Sequence, residues 1–359
     1  MINESHKYLI NPNPSAPKLR VTTKIHKQNN PVRPIINYKS APAYHIKKHL
    51  TNIIKSKLII DNKYNIKNSI VLTQKLQNIP LSQDSKFISL DIKDMYTNIP
   101  ILETIQIIQQ QLEILNEDPL LIEQIIKSLQ TTLKQNYFMY NQQVYIQQDG
   151  LPMGSPLSPI ISEIFLQHLE SQHIEIIKQQ FDIKYYSRYV DDIFIIYDNP
   201  IHNSEKILET FNNLHPKLKF TLEKERDNTL NFLDLTIQKR KFQKKFNFNY
   251  NIYCKPTMSK LSIDYNSVHP NSHKWSNFHF LLNRLNNIPL SKNNYKKEFN
   301  IILDIAKYNN FPINKTESLN NKIKTKLNNN KFTFLQNSKD NCEKKWVTLT
   351  YCGKVSDKI

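Results

Sequence analysis

Glycine is nearly absent. The 359-residue chain has three, Gly150, Gly154 and Gly353. A Walker loop or a G-x-G-x-x-G fingerprint needs several clustered glycines, so both phosphate cradles are excluded. Cysteine is scarce as well. Cys254, Cys342 and Cys352 are odd in number and lack C-x-x-C spacing, which argues against a disulfide framework or a zinc ribbon and fits a reducing compartment. No apolar run approaches the ~20 residues of a membrane span; Ile193–Tyr197 is typical. Met1–Pro17 has no apolar signal-peptide core. Disorder throughout is excluded by 39% hydrophobic and 10% aromatic residues. The length suffices for two or three subdomains.

Charge is abundant and unevenly placed. The net charge is +18, divided as +12 over residues 1–90, −10 over 91–237 and +16 over 238–359. Uniform basicity would imply only general attraction to polyanions. An acidic middle between basic flanks suggests flanks that hold phosphates around carboxylates that hold a metal. The Asn- and Lys-rich tail from Ile313 reads equally well as a solvated surface.

Local patterns predict a β/α mixture without regular βαβ alternation. Met1–Pro17 reads as a mobile arm. Arg20–Asn37 is β-like, broken by the turn Asn29-Asn30-Pro31. Helices are expected over Pro42–Lys57, Leu102–Leu115, Asp118–Gln135 (Asp118 capping), Pro156–Gln179 and Ser204–Leu214, and mostly from Trp275 onward. Strands are expected at Phe87–Ile92, Phe220–Leu222, Phe232–Ile237 and Phe246–Cys254. Two hairpins complete the pattern, Tyr137–Tyr140 with Val144–Gln147, and Lys184–Val190 with Ile193–Tyr197.

Three carboxylates stand out by position. Asp91 follows the strand residues Phe87–Leu90, and Asp191-Asp192 sit at a hairpin tip within Arg188-Tyr189-Val190-Asp191-Asp192. Adjacent carboxylates in apolar strands repel and are costly to desolvate, so a compensating cation is expected. Hard divalent ions take oxygen ligands, and a pair of them clamps an in-line phosphoryl displacement. The bland alternative is a solvated Asp-Asp turn.

Tyr189-Val190-Asp191-Asp192 resembles the third signature motif of reverse transcriptases. Ser89-Leu90-Asp91-Ile92-Lys93-Asp94-Met95-Tyr96-Thr97-Asn98-Ile99-Pro100 resembles the first metal-binding motif, with the ending typical of Penelope-like retroelements. Gly150-Leu151-Pro152-Met153-Gly154-Ser155-Pro156-Leu157-Ser158-Pro159 is similar to the second, with Met where many relatives have Gln. Lys24–Lys27 and Pro31–Ile35 match fingers motifs. Asn231–Asp234, Tyr253–Thr257 and His269–Lys274 match further family segments. Val347–Tyr351 with Gly353–Ser356 resembles the region after the thumb.

The resemblance implies an α+β right-hand polymerase with fingers, a palm built on an antiparallel sheet, and a mostly helical thumb. It implies an arm at 1–18, fingers at 19–90, palm at 91–240 with inserted fingers helices about 100–147, thumb at 241–340, and the start of a connection region at 341–359. The implied function is RNA-directed DNA synthesis by a retroelement enzyme, with RNA template, DNA primer and deoxynucleotides as partners, no membrane, and a nuclear location. Asp91, Asp191, Asp192 and the Ile92 carbonyl would hold two Mg²⁺, with Mn²⁺ as a substitute. Tyr96 stands at the steric-gate position. Lys27 and Arg33 would meet the triphosphate, the point charge and the fork complementing each other. Met153 and Gly154 would border the nucleotide, and Ser155 would cap the next helix. Ser155, Lys255, His269, His273 and Lys274 would contact nucleic acid. Lys224 is either a proton donor to pyrophosphate or a solvated strand end, and Asp94 departs from the small residue expected. A zinc site from Cys254, His269 and His273 lacks a fourth ligand. Members of the Penelope-like family commonly join the polymerase to a GIY-YIG endonuclease, and the sequence stops at Ile359 before one, as expected of a fragment, a decayed copy or an endonuclease-lacking type; Leu19–Thr23 replaces the expected Tyr-Gly-Leu-Pro. The rival readings are a non-catalytic, maturase-like RNA-binding protein and an inert remnant.

Overall fold

The computed structural model describes residues 8–25, 30–58, 60, 63–198 and 204–333. The chain forms two units, 1–68 with 79–230, and 69–78 with 231–359. The first unit opens with β1 (Lys18–Thr23), β2 (Val32–Asn37) and α1 (Tyr44–Lys57); α2 (Ser69–Leu76) belongs to the second unit. It continues through β3 (Ser85–Ile92), α3 (Met95–Asn98), α4 (Ile101–Ile114), α5 (Pro119–Lys134), β4 (Tyr137–Tyr140), β5 (Gln143–Ile146) and α6 (Ser158–Gln180). It closes with β6 (Ile183–Tyr189), β7 (Asp192–Asp198), α7 (Ser204–Asn212) and β8 (Phe220–Lys224). The second unit holds the latter half of β9 (Thr229–Phe232), whose first two residues fall in the first, then β10 (Leu235–Phe242), β11 (Lys245–Ile252), α8 (Asn271–Asn287), α9 (Lys292–Tyr308) and α10 (Ile313–Thr333).

The sheet that carries the acids has the order β6-β7-β3-β8, and every pair in it is antiparallel. Its strands are apolar because a face lies under helices. Phe87, Ile88, Leu90, Phe194, Ile195 and Ile196 are each at most 1% exposed. Helix α6 is long and buried along much of its length, through Ile160, Ile161, Ile164 and Phe165. These residues share one apolar core with Leu50 and Ile54 of α1 and with Ile108 and Leu129 of α4 and α5. Burying each such side chain contributes roughly 1.5–3 kcal/mol, so this core fixes the sheet. The second unit packs α8, α9 and α10 around Phe278, Leu282, Ile302, Ala306 and Phe311.

Local chemistry explains most element ends. The Asp118 side chain accepts from the Leu120 N–H, with Pro119 at the first helical position. The β4–β5 turn is tighter than the expected Asn141–Gln143 loop. It is two residues, Asn141 and Gln142, both at positive φ, which matches the right-handed strand twist. The expected strand Phe232–Ile237 is broken, because Leu233 takes φ 56° and divides it into β9 and β10. Helices α2 and α3 carried too few residues to show a period. The described part of the expected mobile arm is tied down: Ser15 N–H donates to the Ser40 carbonyl and Met139 N–H to the Pro17 carbonyl.

Candidate active site

Strand pairing gathers the acids. In the β3–β7 ladder Asp91 lies opposite Asp192, and in the β3–β8 ladder it lies opposite Thr221. Directly opposed side chains sit about 4.5–5.5 Å apart at Cβ. Asp191 shares the two-residue loop Val190–Asp191 that joins β6 to β7. Its carbonyl accepts from the Ile92 N–H at 3.0 Å. Like charges so placed destabilise a sheet. Their donors are hard oxygens, the chemistry that suits Mg²⁺. Among the described residues no three acid, His or Cys side chains close into a ready-made ion cage.

The loop is held under strain. Val190 has φ 57°, a region β-branched residues avoid at a cost of about 1–2 kcal/mol. Arg188 fastens it. The guanidinium is 1% exposed and donates at 3.1 Å to the Val190 carbonyl, the peptide preceding Asp191. Its other donors meet two carboxylates of α6. Nε and one Nη reach Glu170 at 2.8 and 2.9 Å, and both Nη reach Glu163 at 3.1 and 3.0 Å. All five N–H groups are thus used. Burial pulls the guanidinium's pKa down, but the bonds from Glu170 and Glu163 outweigh it and the net shift is upward. Burial raises the pKa of Glu163, and Arg188 more than reverses this. Sequence reasoning quoted Arg188 only as motif context and missed both glutamates. The available signal was two acids seven residues apart on one face of an apolar helix.

Tyr96 stands beside this loop. Burial, and next the charge of Asp191, push its hydroxyl above the ordinary tyrosine range, and it hydrogen-bonds Ser162. A cavity of about 570 Å³ is lined by Tyr96, Val190, Ser162, Glu163, Thr51 and Asn65 among others. The Tyr96 carbonyl accepts from the Leu151 N–H at 2.7 Å, and the Met153 carbonyl from the Ile36 N–H at 2.8 Å. The Gly150–Ser155 loop is therefore laced to both α3 and β2. Its glycines are required by these neighbours. A Cβ on Gly150 would stand 2.1 Å from the Thr97 carbonyl oxygen, and one on Gly154 2.2 Å from that of Ile36. The close approach at Gly154 is to strand β2.

Other expected residues fall as follows. Arg33 is exposed on β2 opposite Thr22, and Lys27 lies outside the described residues. Ser155 does not cap α6. Leu157 occupies that position without a side-chain bond, Ser158 N–H donates to the Ser155 carbonyl, and the Ser155 hydroxyl is buried without a protein partner. With Leu157 at the cap, Ser155 lies two residues before that position. Lys224 pairs with Glu205 and lies opposite Ile88, three residues along β3 from Asp91. Asp94 is exposed, and its carbonyl accepts from Thr97 and Asn98. In the second unit Lys255, His269 and His273 are exposed. The Lys274 ammonium donates to the Tyr265 carbonyl at 2.9 Å and lies over that ring, so it packs within its own unit.

An antiparallel sheet bearing paired acids, covered by a long buried helix, has the fold of a right-hand polymerase. The telomerase of Candida albicans, solved with a fragment of telomeric RNA, is similar with a TM-score of 0.59 at 11% identity, over 86% of this chain and 59% of that one. The telomerase of Candida tropicalis, also with a telomeric RNA fragment, gives 0.49 at 13% identity, over 80% and 52%. The BmCPV RNA-dependent RNA polymerase at its elongation state gives 0.47 at 9%, over 81% and 26%. The chain thus spans 59% of the length of the first of these. Comparison with curated proteins gives no match. Residues 25–250 match the reverse transcriptase (RNA-dependent DNA polymerase) family, and the chain belongs to it. No helix among the described residues is long and apolar enough to cross a membrane.

Proposed function

We propose that the chain is the RNA-directed DNA polymerase of a Penelope-like retroelement. The observation that carries this reading is the register that sets Asp91 opposite Asp192, with Asp191 in the adjoining loop beside Tyr96. The sheet β6-β7-β3-β8 with α6 serves as the palm, the remainder of residues 19–90 outside β3 as fingers and 241–340 as thumb. The primer 3′-hydroxyl attacks the α-phosphate of a deoxynucleotide. A new P–O bond forms, the bond to the β-phosphate bridge breaks, and pyrophosphate leaves. Asp91, Asp191, Asp192 and the Ile92 carbonyl would hold two Mg²⁺, or Mn²⁺, which supply neutralising charge when bound. The chain's own groups position the reactants. The Tyr96 ring lies under the sugar and excludes a 2′-hydroxyl. Arg33 and Lys27 meet the triphosphate. Met153 and Gly154 border the nucleotide. Lys255, His269 and His273, exposed on the second unit, contact template and primer. A retroelement enzyme of this kind works in the nucleus.

The test is extension of a DNA primer on an RNA template with Mg²⁺ or Mn²⁺, beside Asp191→Ala. Extension that the substitution abolishes supports the reading. No extension by the intact chain, or equal extension by the variant, overturns it. Template binding without extension identifies a non-catalytic RNA-binding protein instead. Tyr96→Ala should admit ribonucleotides, and unchanged sugar selectivity would remove the gate role.

A further inference from the structure

The β10–β11 hairpin ends in a concentration of charge that includes none of the site residues named above. Between Asp234 and Asp264 the chain has no acidic residue and seven basic ones, five of them at Lys239, Arg240, Lys241, Lys244 and Lys245. Such a run in a loop would be a solvated tether. Here it is built on a ladder that stays paired to Phe242↔Lys245 and turns through Gln243–Lys244, with Gln243 at φ 54°. The charges are therefore carried at fixed positions.

The register sorts the two faces. Paired residues of an antiparallel ladder point the same way, so Lys239 and Lys241 share a face with Phe246 and Phe248. On that face both ammonium groups lie over the Phe246 ring, at 5.5 and 5.8 Å. The other face presents Arg240, Phe242, Lys245 and Asn247, with Lys244 in the turn. All five are exposed. The Phe242 ring is 67% exposed, and Arg240, Lys244 and Lys245 make no ion pair among the described residues. The exposed ring is thus flanked by cations that pair with no carboxylate among the described residues.

We propose that this tip binds single-stranded nucleic acid, with Phe242 stacked on an unpaired base and Arg240, Lys244 and Lys245 on the flanking phosphates. Stacking on an aromatic face needs a base free of its duplex neighbours, and cations spaced along a strand follow a phosphate chain. One ring without an apolar surround is a poor membrane anchor. A protein partner would need an acidic surface shaped to the tip, whereas stacking accepts any base.

The test uses the full chain and binding of a labelled 20-nucleotide RNA across a salt series, independent of catalysis. The Arg240→Gln/Lys244→Gln/Lys245→Gln variant should weaken binding at least tenfold at low salt, and make the log–log salt slope shallower by about 2, near 0.7 for each lost phosphate contact. Phe242→Ala should weaken it about fivefold or more, the low end for one stacked base, with the slope unchanged. The same Phe242→Ala change should leave binding to a blunt duplex unaltered. Matching losses on RNA and DNA of one sequence assign the contact to phosphate and ring; a loss on RNA alone adds a 2′-hydroxyl contact. Both support the proposal. Unchanged binding by both variants, with melting temperatures equal to the parent's, overturns it. So does parent binding to anionic vesicles that Phe242→Ala abolishes while RNA binding stays intact. Failure of primer extension by the parent leaves this test intact, so the two readings fail separately.

Discussion

Removing Arg188 probes the structure most directly. Arg188→Met keeps length and apolar bulk but deletes five hydrogen bonds to three acceptors. Glu170 is 7% exposed and Glu163 18%. Breaking a buried ion pair by removing one partner costs about 3–5 kcal/mol. The cost should fall mainly on Glu170, which keeps only the Tyr186 hydroxyl as donor. Glu163 keeps Gln167 and Asn65. Urea unfolding followed by circular dichroism at pH 7.5 should thus show a loss of about 3–5 kcal/mol in the transition of the first unit. Adding Glu170→Gln should return about 2 kcal/mol, since the stranded charge is gone while its shape remains. The variant should regain stability as pH falls, because protonation relieves a buried carboxylate left without its cation. The parent should do the reverse. Arg188 depresses the pKa of Glu163, so that contribution is present above the unfolded-state pKa and lost as pH falls through the folded one. A loss under about 1 kcal/mol at pH 7.5, or no recovery in the double variant, would refute the assignment of this clamp as a buried charge network.

Three further outcomes are expected. Val190→Gly should be neutral or stabilising by up to about 1 kcal/mol, because relief of the positive φ offsets the entropy of glycine; a thermal melt showing a loss above about 1 kcal/mol would place the strain elsewhere. Gly154→Ala should cost well over about 1 kcal/mol, since the new methyl meets the Ile36 backbone, and a wild-type melting temperature would contradict the close approach. Lys47 is fully buried over the Tyr38 ring at 4.5 Å, and burial pulls its ammonium pKa down to about 8. Unfolding then takes up a proton between pH 8 and the ordinary lysine range, so stability should rise with pH across that window. Lys47→Met should stabilise at pH 7 by about 1–3 kcal/mol, with the gain fading from about pH 8 and gone by about pH 10.5; destabilisation at pH 7 would show that the ammonium is used.

Much of this chain is determined by local sequence. Asp118-Pro119 starts α5 because a carboxylate and a ring with fixed φ suit a helix N-terminus wherever they occur. The Phe87–Leu90 run and the Tyr189–Phe194 hairpin are strands because β-branched and aromatic residues alternate with turn chemistry. Asp91, Asp191 and Asp192 were legible as candidates because carboxylates in apolar strands demand a cation. What sequence alone left open is set by partners far along the chain. Register alone places Asp91 opposite Asp192, since a one-residue slip would turn every side chain to the other face. Glu163 and Glu170 look like surface residues of a helix until β6 brings Arg188 beneath them. Ser155 looks like a helix cap until Pro156 and Leu157 displace it and the loop is tied to Tyr96 and Ile36. Gly154 is legible as a place of close backbone approach, and only the fold shows that the Ile36 carbonyl is one of the neighbours requiring it. In each case the deciding energy is desolvation or steric contact between segments remote in sequence, which no local pattern encodes.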